Sequence, residues 1–101
     1  MTQFEINGCA NEEYSLAFEE MESIVSQIQL PAEELEQLKQ IQTAWIKQAV
    51  FECDFFYGQL EKGPEGSLYY RNGSMAPMRR GWCLAERVKF RIDEIKDAYL
   101  P

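Results

Sequence analysis

Between Leu35 and Phe56 the side chains repeat at a step that suits a long helix. Leu35, Leu38, Gln42, Trp45, Ala49, Glu52 or Cys53, and Phe56 fall on one heptad-like stripe, which Ile41 and Ile46 widen. Pro31 is well placed as the first residue of this helix and Gly58 as its stop. Such a helix has about 27 residues and spans about 40 Å. The rest of the chain must pack against it.

Two more segments carry the same period. Tyr14, Phe18, Met21, Val25 and Ile28 make one stripe. Asn11 is its expected cap, Glu12 and Glu13 favour the positive helix end, and Leu30-Pro31 ends it. The last helix is expected to begin at Ser74 or Ala76, with Pro77 in its first turn. Its stripe is Met78, Trp82 or Gly81, Ala85, Val88, Ile92, Ile95 and Tyr99. Between the second and third helices lies GQLEKGPEGSLYYRNGS, which holds four of the six glycines. It reads as a long loop, with a short hairpin in SLYYRNGS. Asn72-Gly73-Ser74 reads as a turn followed by a cap, Gly73 supplying positive φ and Ser74 an acceptor for orphan N–H groups. The expected fold is all-α: a three-helix antiparallel bundle, one domain over 1–101, with a long loop between helices 2 and 3.

Charge is divided unevenly. Residues 1–40 hold nine acids and one base, whereas residues 41–101 hold eight acids and nine bases. The net charge of −7 does not suit nucleic acid, where phosphate neutralisation supplies most of the affinity. It suits a cationic protein partner, or simply a solvated helix face. No run of about 18 apolar residues is present to span a membrane. The opening MTQFEINGCANEEY has neither the basic nor the apolar region of a signal peptide. Whether a leader precedes it in the natural protein stays open.

The sequence contains no His, which removes the usual general base and metal ligand. Three cysteines without His or CxxC spacing make a poor zinc site. No cofactor or metal is therefore expected, and no enzyme. Folding the helices back on one another brings Cys9, Cys53 and Cys83 to one end, beside the loop. A Cys53–Cys83 bond would close a loop of about 31 residues and constrain the unfolded chain by about 3–4 kcal/mol. Three reduced, buried thiols fit the spacing equally well. Cys9 is the cysteine expected to stay unpaired, in a frayed N-terminus.

LEQLKQIQTAWIKQAVFEC, followed by NGSMAPMRRGWCLAERVKFRIDEI, resembles the LprI-like lysozyme-inhibitor family of small secreted bacterial domains. Gln42, Trp45 and Cys53 match its spacing, as do Gly73, Ser74, Met75, Cys83 and Arg91. TQFEINGCANEEY resembles the family's opening, whose first cysteine would lie before this chain begins. Three positions depart from the pattern. Ala49 and Val50 stand where the family usually has Arg-Asp, and Val88 where it has Thr. The resemblance implies a helical bundle, an oxidising compartment (periplasmic or secreted, against a cytoplasmic alternative), a Cys53–Cys83 disulfide and inhibition of a lysozyme.

On that reading the partner is a cationic lysozyme, whose cleft holds paired carboxylates. Arg71, Arg79 and Arg80 are candidate cleft contacts, and Tyr69 and Tyr70 candidate anchors. Each has a plainer alternative: ion pairs with Glu61 and Glu65 for the arginines, packing over the bundle end for the tyrosines. Trp45 is expected in the core, and Arg91 on a flank, supporting the bundle by ion pairing. The competing function is a generic protein-interaction module on the same fold, with an unidentified partner.

Overall fold

The computed structural model describes residues 2–71 and 73–100. Three helices, α1 (Gln3–Gln27), α2 (Ala32–Tyr57) and α3 (Ala76–Tyr99), account for most of the chain. A small hairpin of β1 (Leu60–Lys62) and β2 (Leu68–Tyr70) joins α2 to α3. The fold is all-α apart from that hairpin.

α1 starts well before Asn11, the expected cap. The Thr2 hydroxyl accepts the Glu5 N–H at 3.2 Å, and Glu5 lies in the positively polarised first turn. Tertiary packing holds this extension: Ala10 is 0% exposed, and it lies so close to Gly81 that a Cβ there would come within 2.9 Å of the Ala10 Cβ. Cys9 is accordingly helical rather than frayed, though exposed and free. Ile28 turns extended and ends α1, and Pro31 caps α2 rather than forming its first turn. Gly58 stops α2 as expected, its N–H bonding the Asp54 carbonyl.

Within the loop the hairpin is larger than SLYYRNGS and turns elsewhere. Leu60 faces Tyr70, Glu61 faces Tyr69 and Lys62 faces Leu68. The tip is a single 3-10 turn, Pro64–Gly66, closed by a Gly63 N–H to Ser67 carbonyl bond of 2.7 Å. Positive φ at both Glu65 and Gly66 makes so tight a reversal possible. Gly73 also has positive φ, at 88°, and starts the turn into α3; Asn72, expected beside it, lies outside the described residues. Ser74 is not the cap. Met75 holds that place without a side-chain bond; its thioether is a weak acceptor, the Ala76 N–H bonds the Gly73 carbonyl, and Pro77, in the first turn, has no N–H to satisfy.

The helices run up, down and up. α3 lies against both neighbours, while α1 and α2 touch each other little. The short α1–α2 connection thus gives antiparallel helices whose main contacts are with α3 rather than with each other. Ala17, Met21 and Ile24 of α1, with Ile28 just past its end, meet Leu38 of α2 and Val88, Ile92 and Ile95 of α3 in the core. Along α3 it is Gly81, not Trp82, that faces inward, and Tyr99 is exposed. On α2, Phe56 and Ile41 also leave the expected stripe and are exposed. The molecule measures 57 × 27 × 15 Å, a thin layer more than a round bundle.

Candidate functional site

At the hairpin end a disulfide joins Cys53, which is fully buried, to Cys83, with Cα atoms 5.9 Å apart. Ion pairs flank it. Arg80 pairs with Asp54, and Arg87 with Glu52 at 3.0 Å, so α2 and α3 are fastened on both sides of the sulfur bridge. Above it the hairpin carries its own cluster. Glu61 receives the Arg71 Nε–H at 2.6 Å and the Tyr69 hydroxyl at 3.1 Å. These donors hold the Glu61 carboxyl below its usual range, Arg71 having the largest effect. In return, the bond to Glu61 raises the Tyr69 phenol above its usual value.

The five residues expected to face a partner therefore sit in unlike surroundings. Arg71 and Tyr69 are both engaged by Glu61, and Arg80 by Asp54. Tyr70 is exposed beside Leu60. Arg79 is exposed and forms no ion pair among the described residues. It opens onto a groove of about 580 Å³ lined also by Tyr57, Trp82, Glu86, Arg87 and Phe90. Phe90 is 73% exposed and Trp82 44%. Sequence reasoning missed Tyr57 and Phe90 and offered Trp82 or Gly81 for one place on the core stripe, a place that Gly81 takes, leaving Trp82 outward. The spacing of Trp82, Glu86 and Phe90, four apart, marks one helix face, but nothing in the sequence says that this face is outward.

A second cluster gathers motif residues from distant parts of the sequence. Arg91 Nε donates to Gln42 Oε1 at 2.8 Å, and its guanidinium lies 5.4 Å from the centre of the Trp45 ring. The outer end of Arg91 reaches Glu94 at 3.4 Å. With its side chain only 17% exposed, Arg91 works as a tie between α2 and α3. Trp45 is partly buried, packed against the core rather than within it. Gly73, Ser74 and Met75 shape the turn leading into α3. Ala49 and Val88 are both buried, so these two departures from the family pattern fall in surroundings that suit apolar side chains, whereas Val50, the third, is only partly buried.

Among the described residues no group of three acidic, Cys or His side chains could hold a metal. Among the described residues no helix is long and apolar enough to cross a membrane.

Fold and site together describe a disulfide-stapled helical protein that presents a hairpin at one end and an aromatic groove running from there along α3. Over residues 1–95 the chain matches the family described as lysozyme inhibitor LprI, and it belongs to that family. The description is of an inhibitor, not an enzyme, and it implies a protein partner. No curated protein and no solved structure matches the chain.

Proposed function

We propose that this protein works outside the cytoplasm, where it binds a lysozyme and blocks its cleft with the hairpin end. Membership of the lysozyme-inhibitor family is the observation that carries the reading. The exposed surface of that end supports it. Tyr69 and Tyr70 of the hairpin and Trp82 near the start of α3 are exposed there, with arginines among them, which is the composition of interface hot spots. Exposed apolar groups gathered in one place also mark interaction sites.

Arg79 is the arginine best placed to meet the cleft carboxylates, since it gives up no internal partner. Arg71 and Arg80 would have to exchange Glu61 and Asp54 for the target, so they serve first to shape the surface. The acidic first forty residues would steer a basic lysozyme during approach, an effect that weakens with salt.

The test is binding to a panel of lysozymes by calorimetry, with muralytic activity read in parallel. Saturable binding with loss of activity is expected, and Arg79→Glu should weaken it by at least about tenfold. An absence of binding at both low and physiological salt would overturn the reading, leaving a different protein as partner.

A further inference from the structure

At the opposite end from the hairpin, α1 and α2 part and leave a groove of about 610 Å³ between them. Its walls are Phe18, Met21, Val25 and Ile28 on one side and Leu35 and Ile46 on the other. That volume is within the range of about 300–1,000 Å³ typical of ligand sites. From Phe18 to Ile28 the groove runs along about 15 Å of helix, close to three turns. Both walls are helices whose backbone groups are already satisfied internally. A guest must likewise satisfy its own, which favours a helix over an extended strand.

Charge indicates which helix. Glu19, Glu22, Glu33, Glu34 and Glu36 are exposed on α1 and α2, and none of them forms an ion pair among the described residues. By contrast, Glu13 and Glu20 of α1 are paired with Lys89 and Lys96 of α3. Glu86, Asp93 and Asp97 are also exposed and unpaired among the described residues, but on α3, which does not line the groove. Of the five on α1 and α2, Glu22 is in the groove's lining together with Lys39, and the other four stand within a turn of lining residues on the same two helices. We propose that the α1–α2 groove binds a short cationic amphipathic helix, with its apolar stripe between the walls and its Lys or Arg residues against these carboxylates. The groove is remote from the hairpin, so this inference does not depend on the lysozyme reading.

The test uses the whole chain and a fluorescein-labelled Leu/Lys peptide of about 14 residues, long enough for about four helical turns. Anisotropy is read at about 20 and about 150 mM salt, beside a control peptide with every Lys replaced by Glu. Saturable binding of the Leu/Lys peptide alone is expected, weaker at the higher salt. Thr43→Trp and Ser26→Trp each place an indole in the groove from an exposed position, on opposite walls. Each should weaken binding by about tenfold or more, with helix content unchanged by circular dichroism. Glu22→Lys should also weaken it. Unchanged affinity in whichever groove variant keeps its helix content would overturn the proposal, leaving only a nonspecific acidic surface. So would equal binding of the Glu peptide, or no saturable binding at low salt.

Discussion

Glu61 accepts hydrogen bonds from Arg71 and from Tyr69, and a titration can follow both. Its carboxyl is held below the usual value, so what it contributes to the hairpin is present above the unfolded pKa. That contribution is lost as pH falls through the lowered folded value. The Tyr69 phenol is raised, so its contribution holds below the unfolded phenol value and is lost as pH rises through the folded one. Carbon-detected NMR of the Glu61 carboxyl should show a depressed midpoint that returns toward the ordinary range in Arg71→Gln. Arg91 allows a stability test. Arg91→Met keeps the apolar stem but removes the Gln42 bond and the Trp45 contact. It should cost about 1–2 kcal/mol in urea unfolding, about 1 from the hydrogen bond and the rest from the lost cation–π contact. Gln42, Trp45 and Arg91 could each be singled out from sequence. Their meeting could not, because it depends on how α2 and α3 are aligned, and spacing within one helix does not encode that.

For individual elements, periodicity located all three helices, and Pro31 and Gly58 marked ends within a residue. It failed at the start of α1, where the stabilising contact is tertiary. Ala10 on Gly81 is a pairing of small residues with no apolar stripe to announce it. It failed too on the hairpin, because the turn-like Gly73 opens α3 while the tip is built at Pro64–Gly66. Gly81→Ala tests the close approach. Helix propensity would favour Ala by about 1 kcal/mol, but the new methyl meets Ala10 backbone at 3.1 Å as well as its Cβ. Relieving that means moving α1, and overpacking of this kind costs about 1–3 kcal/mol. A lower melting temperature is expected, where an exposed helical Gly→Ala would raise it. The disulfide gives a second test at this scale. Alkylation of unreduced protein should label Cys9 alone. Reducing the Cys53–Cys83 bond, whose cysteines are 30 positions apart, should cost about 3–4 kcal/mol of stability to urea.

For the molecule as a whole, α3 supplies contacts to both other helices. A chain ending at Gly73 would keep α1 and α2 but lose the surface on which both rest. Its far-ultraviolet circular dichroism should show weak helicity that melts without a cooperative transition, since amphipathic helices draw most of their stability from packing. The three-helix outline was legible because each stripe is long and strongly periodic. The flat 57 × 27 × 15 Å shape and the open α1–α2 groove were not, since both depend on which pairs of helices pack closely. Short connections show which helices are antiparallel but not which ones bury the most surface.

The central place of α3 also bears on when the fold can form. It is the last of the three helices to be made, and Ala10 near the start must find Gly81 near the far end. Pairings so distant along a chain are slow to form for a helical protein. The first two helices are therefore made before the surface against which both pack exists. Cys83, one half of the sulfur bridge, lies on that same last helix, so the bridge too can close only once α3 has been made.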